Sequence, residues 1–206
     1  MIEQLIPFLI ASILLTLSPG PDIIYVLSQS LVGGYKKGMI IALGLVSGII
    51  IHTSLVAFGV SLIIKNSEPL FWSIKIAGAL YLLYLAYKVY SSPPQSFHQE
   101  KVTETTKNSF FSDFKTGFIM NILNPKVTIF FLAFFPGFLW DTEKDLMMQF
   151  YVLGGLFMLQ AFVIFSLVAI LSDQLSKQLF KTSRSYVFLK WFQIFTFIAI
   201  AILILV

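Results

Sequence analysis

The chain has 206 residues, 57% of them hydrophobic and only 12% charged, with a formal net charge of +4 and no cysteine. That charged share is about half the soluble average, and the mean hydropathy is +0.87. These values exclude a disulfide framework and a thiolate metal site. They favour one compact integral membrane domain over residues 1–206 rather than a soluble domain.

The opening residues, Met1-Ile2-Glu3-Gln4, carry no basic region, and no small-residue cleavage pattern comes after them. Residues 1–20 are therefore expected to stay in the mature chain rather than act as a signal peptide. The first apolar segment runs from Leu5 to Val32 and is interrupted by Leu17-Ser18-Pro19-Gly20-Pro21-Asp22. The second runs from Gly38 to Ile64 and the third from Pro69 to Tyr90. A polar stretch from Ser91 to Lys115 opens with Ser91-Ser92-Pro93-Pro94 and mixes both charge signs, as a linker does.

Apolar character resumes from Thr116 to Leu139, interrupted by Asn121-Ile122-Leu123-Asn124-Pro125-Lys126. The acidic turn from Asp141 to Asp145 ends it, and further segments cover Leu146 to Leu171 and Val187 to Val206. At roughly 20 residues per crossing, each of these segments is long enough to span the hydrocarbon core. The expected fold is an all-α polytopic membrane protein with six transmembrane helices.

Lysine placement sets an expected orientation. The connections after segments one, three and five, with their flanks, hold Lys36, Lys37, Lys88, Lys101, Lys107, Lys115, Lys177, Lys181, Arg184 and Lys190, against Lys65, Lys75 and Lys144 on the other side. By the positive-inside rule the lysine-rich loops face the cytoplasm and both termini lie outside. Residues 1–90 then form a first three-helix half, 91–115 a cytoplasmic linker and 116–206 a second half. Three crossings per half is odd, so the halves are inverted, and Pro21 and Pro125 occupy the first helix of each.

The two breaks carry opposite charges inside segments that cross the membrane. An intramembrane charge is costly and marks function by default. Proline frees backbone groups that only protein or a water-lined cavity can satisfy. Pro19, Gly20 and Pro21 should unwind the first helix, with Ser18 capping the next half-helix and Asp22 in its first turn. Asn124 should cap the half-helix of the second break, with Pro125 at its first position. Lys126 there opposes the helix dipole, so an anion, Asp22 or a substrate carboxylate, is expected to compensate.

Asp22 and Lys126 facing one cavity would suit a small zwitterion, its ammonium at Asp22 and its carboxylate at Lys126 or at free backbone N–H groups. Asp22 is also the candidate carrier of a coupling proton, since burial penalises a carboxylate's charge. A purely structural ion pair is the competing reading. Asn121 and Gln160 either line the cavity or bridge helices, and Gln29 is a weaker lining candidate. His52, in the middle of helix two, is either a satisfied interhelical histidine or a coupling and gating residue. Gly34, Gly38, Gly44, Gly48, Gly117, Gly154 and Gly155 mark close helix approach. Phe71, Trp72, Trp140 and Trp191 fit interfacial anchors. The phenylalanines around residues 110–135 belong to a membrane segment and are no nucleic-acid stacking platform. No phosphate loop, zinc spacing or nucleophile with a positioned base appears, so no metal site and no cofactor are expected.

At these residues the chain strongly resembles the LysE/RhtB family of bacterial amino-acid exporters. The first signature is Leu17-Ser18-Pro19-Gly20-Pro21-Asp22, followed by Ser30-Leu31, Gly33-Gly34, the run from Gly38 to Gly44, and Gly48 to His52. The second is Gly117-Phe118-Ile119-Met120-Asn121-Ile122-Leu123-Asn124-Pro125-Lys126, followed by Phe130-Phe131 and Phe134-Phe135-Pro136. The resemblance implies an exporter of amino acids or small zwitterionic derivatives in the bacterial cytoplasmic (inner) membrane. It also implies coupling to protons, with the family's conserved aspartate and lysine at Asp22 and Lys126. Expected partners are the amino acid, protons, membrane lipids and, left open, a second copy of the chain. Two other classes remain: a membrane-embedded enzyme, which would need more than Asp22 and Lys126, and an assembly or scaffold protein without a solute path.

Overall fold

The computed structural model describes residues 2–60, 67–92, 109–141, 144–172, 174–175 and 183–205. The chain is a helical bundle. Helix α1 covers Ile2–Leu17, α2 Pro21–Gly33, α3 Tyr35–Leu55 and α4 Glu68–Ser91. Helix α5 covers Phe110–Ile122, α6 Pro125–Ile129, α7 Leu146–Ile170 and α8 Ser183–Leu205. Among the described residues, four helices are each long and apolar enough to cross a membrane. The α1–α2 pair bends by 54° and the pair spanning Phe110–Ile122 and Pro125–Phe138 by 50°, which gives six crossings when each bent pair is one span. Both bends fall at the proline-containing breaks.

Local chemistry accounts for the ends. The Ser67 hydroxyl accepts from the Leu70 amide at 3.4 Å and starts α4, with Glu68 in its first turn. Gly34 links α2 directly to α3 at φ +80, a conformation that a side chain would strain.

The fourth segment starts earlier than its hydropathy suggests. Ser109 caps α5 by accepting from the Ser112 amide at 3.4 Å, so Phe110 to Lys115 are helical and not linker. The charge at Asp113 made this turn look polar, yet the residue is buried among helices. Residues 93–108 of the linker, including Pro93 and Pro94, lie outside the described residues. So do Lys65, Lys101, Lys107, Lys177 and Lys181, and the last residues assigned to the second segment.

Helix α3 lies along α5 and also packs on α2 and α7; α7 touches α1, and α4 pairs with α8. The α3–α5 contact is backbone on backbone. A Cβ on Gly44 would fall on the Phe114 carbonyl, and one on Gly117 on the Ile41 carbonyl. Between apolar helices in lipid, such close packing replaces the hydrophobic drive of soluble proteins.

Beyond α6 the helix widens into a π-turn over Phe130–Phe134, closed by the Phe135 amide donating to the Phe130 carbonyl, and then tightens into a 3-10 turn over Phe135–Phe138. Phe130, Phe131, Phe134 and Phe135 share one helix face, which points inward. All four are fully buried. Phe131 stacks on Phe135 at 4.1 Å, and Phe157 of α7 meets Phe130 and Phe131 at 5.5 and 5.3 Å. These rings form the core, whereas Phe110, Phe111, Met147 and Met148 face outward. Trp72 and Trp191 are exposed, in keeping with anchoring; Lys75 sits 4.5 Å over the Trp72 ring.

Candidate functional site

The two breaks meet inside the bundle. Asp22 stands in the first turn of α2, behind Pro21, and is 9% exposed. Ser18 does not cap that helix: Gly20 takes the N-cap position in an extended conformation, and no side chain bonds the first turn. Pro19 and Gly20 carry Ser18 away from the α2 amides. Its hydroxyl instead lies buried with no hydrogen-bond partner.

In the other break the cap is as expected. Asn124 Oδ1 accepts from the Lys126 amide at 3.0 Å, with Pro125 just inside the helix. The same side chain reaches across the bundle. Asn124 Nδ2 donates to Asp22 Oδ2 at 2.8 Å, so one residue organises both breaks.

Lys126 is compensated by something no side-chain motif reveals. Its ammonium donates to the Leu15 carbonyl at 2.7 Å and the Ser18 carbonyl at 3.1 Å. These carbonyls lie at the interrupted C-terminal end of α1, the negative end of its dipole, where a cation is favoured. An ammonium has three donors, and these contacts use two of them. Opposite charges therefore sit in one site, each held by groups of the other break.

These groups line a common cavity. Its polar wall is Thr16, Ser18, Asp22, Asn121, Asn124 and Lys126, with Gly20 beside them. Its apolar wall comes from Leu15, Ile23, Ile49 and Val127, and from Phe157, Ala161 and Phe165 on α7. Asp22 Oδ1, Asn121 Oδ1 and Ser18 Oγ are buried, and none has a hydrogen-bond partner. Buried polar atoms are nearly always satisfied, so three such atoms around one cavity call for an occupant or water.

The remaining candidates are spread around this centre. His52 lies behind the wall; its Nε2 donates to the Asn121 carbonyl at 3.2 Å, which assigns the ring proton to that nitrogen. Its ring also lies 5.6 Å from that of Phe131. Gly48, one turn earlier, makes room for Asn121: a Cβ there would come within 2.7 Å of Asn121 Oδ1. Gln160 bridges helices, donating to Thr16 Oγ1 at 3.0 Å. Gln29 is buried but is not a cavity residue. Among the described residues no group of three or more His, Asp or Glu is arranged to hold a metal ion. Sequence reasoning missed Thr16, Ile49 and the α7 wall. The only trace of that wall is the four-residue spacing of Phe157, Ala161 and Phe165.

A family model described as LysE type translocator matches residues 13–206. The chain belongs to the LysE-type translocator family. Leucine efflux proteins of Salmonella typhimurium and Salmonella typhi are each 32% identical over 147 residues, which cover 71% of this chain and 68% of theirs. A Bacillus subtilis protein, named uncharacterized membrane protein YrhP, is 27% identical over 194 residues, covering 91% of this chain and 92% of its own. No solved structure matches the chain. Membership in the LysE-type translocators, with the polytopic helical fold, makes this an inner-membrane secondary exporter of amino acids rather than an enzyme.

Proposed function

We propose that the substrate is a zwitterion held between the two helix breaks and released by alternating access, in exchange for a proton. The carrying observation is the cluster of unpartnered buried oxygens, Asp22 Oδ1, Asn121 Oδ1 and Ser18 Oγ, around one cavity. A primary ammonium has three donors and matches three such acceptors. The substrate carboxylate takes the third donor of Lys126 and the free amides at the start of α2. Asp22 and Lys126 together are neutral, as the zwitterion is, so binding leaves no net charge stranded in the membrane.

In this scheme Asp22 is occupied in turn by the substrate ammonium and by a proton entering from outside. Asn124 tunes that carboxylate, while Pro19, Gly20, Pro21 and Pro125 supply the joints between half-helices. His52 steadies the second joint through the Asn121 carbonyl. The halves, residues 1–90 and 116–206, rock about the cavity as inverted repeats. The lysine-rich loops face the cytoplasm and both termini lie outside.

The two Lys126 bonds to α1 carbonyls would also serve a purely structural clamp, which is the second reading. Counterflow in proteoliposomes separates the two, with leucine as the first compound because of the relatives' names. Wild-type protein should give saturable leucine counterflow, and an imposed pH gradient should drive accumulation. D22N that remains monodisperse should lose both. K126M should lose leucine binding as well as some thermal stability. Near-normal flux in both variants refutes the assignment, and K126M that is merely less stable returns Lys126 to the clamp.

A further inference from the structure

Much of the cavity wall carries no polar side chain, including Ile23, Ile49, Val127, Phe157, Ala161 and Phe165. The charged side chains lining the cavity are Asp22 and Lys126, both engaged by the zwitterion in the reading above. A substrate side chain with its own charge would therefore find no counter-charge, and burying an unpaired charge is prohibitive.

The wall also has a shape. Phe157, Ala161 and Phe165 are four residues apart, so they lie along one face of α7. Phe157 is backed by the Phe130 and Phe131 rings, at 5.5 and 5.3 Å, and cannot retreat. Between two aromatic side chains, Ala161 presents a single methyl and is only 1% exposed. The result is a notch beside the stiff Phe157 shoulder, in a cavity that Ile49 of α3 also lines.

We propose that this notch selects the transported side chain: it admits a short or branched aliphatic group, and Ala161 sets the largest size accepted. The proposal rests on the exporter reading and specifies its substrate class as neutral amino acids with apolar side chains. One methylene in an apolar pocket changes discrimination by about 10–200-fold. Changes at Ala161 should thus alter which amino acid moves before they alter whether any moves.

The test is counterflow of radiolabelled alanine, leucine, phenylalanine, lysine and glutamate in proteoliposomes containing wild type, A161L, A161G, I49A or the lipid-facing control L159A. Leu159 is 64% exposed and outside the cavity. Wild type should carry leucine at least about 10-fold faster than lysine or glutamate. A161L should lower the leucine-to-alanine ratio by about 10-fold or more. A161G and I49A, which remove bulk from α7 and from α3, should both raise phenylalanine relative to leucine, with L159A unchanged. If A161L does not fold, the two enlarging variants decide. Preference of the wild type for lysine or glutamate overturns the proposal while leaving export intact. So do unchanged ratios in both A161G and I49A, or an equal shift in L159A. Absence of wild-type flux with every compound defeats the exporter reading itself.

Discussion

Replacing Asn124 by alanine removes two interactions that the structure assigns to different atoms of one side chain. The lost cap on the Lys126 amide is worth about 1 kcal/mol. The lost bond to the Asp22 carboxylate is charge-assisted and buried, worth about 1.5–3 kcal/mol. Together they amount to about 2.5–4 kcal/mol, a fall in unfolding temperature of roughly 5–15 °C for a chain of this size. N124S separates the two, because a serine hydroxyl can cap but is too short to reach Asp22. Thermal unfolding in detergent should therefore rank wild type above N124S and N124S above N124A. Leucine counterflow should drop in both, since each leaves the Asp22 carboxylate without its donor. If N124A unfolds at the wild-type temperature, the bridge between the breaks carries no energy and the reasoning fails. If N124S matches wild type in both assays, the bond to Asp22 is idle.

G48A should displace Asn121, since the new Cβ would lie 2.7 Å from its Oδ1; apparent affinity for leucine should weaken at least severalfold with the helices intact by circular dichroism. H52L removes the donor to the Asn121 carbonyl and should cost about 1–3 kcal/mol of stability for the bond lost and the carbonyl left open. H52Q, which keeps a donor, should recover much of that loss; equal stability of H52L and wild type would remove His52 from the support of the break.

The positions of both breaks were legible in the sequence because proline has one physical consequence inside a helix, whatever surrounds it. Asn124 as a cap and Pro125 at the helix start were legible for the same local reason. Ser18 was misjudged because capping depends on backbone direction, and the extended Gly20 intervenes. The beginning of α5 was misplaced because Asp113 and Lys115 suggest solvent, while the cap at Ser109 and the burial of Asp113 are properties of the fold. The partners of Lys126 are main-chain carbonyls, which every residue carries, so no motif announces them. The phenylalanines of the π-turn illustrate the same limit. In an ordinary helix Phe130, Phe131, Phe134 and Phe135 share one face by spacing alone, but nothing local says that this face turns to the core rather than to lipid. Ala161 left no mark beyond its spacing between Phe157 and Phe165, because a notch is defined by its larger neighbours.

The chain contains no cysteine, so a single introduced thiol is unique. Ser18, 1% exposed and on the polar wall, is the place for it. The direct measurement is the rate at which a small hydrophilic methanethiosulfonate reagent modifies S18C in proteoliposomes, with and without a saturating concentration of leucine or of the amino acid found by counterflow. A water-accessible binding cavity between the breaks predicts measurable modification that slows by about 10-fold or more when substrate is present. No modification in any condition, or the same rate with and without substrate, would contradict it.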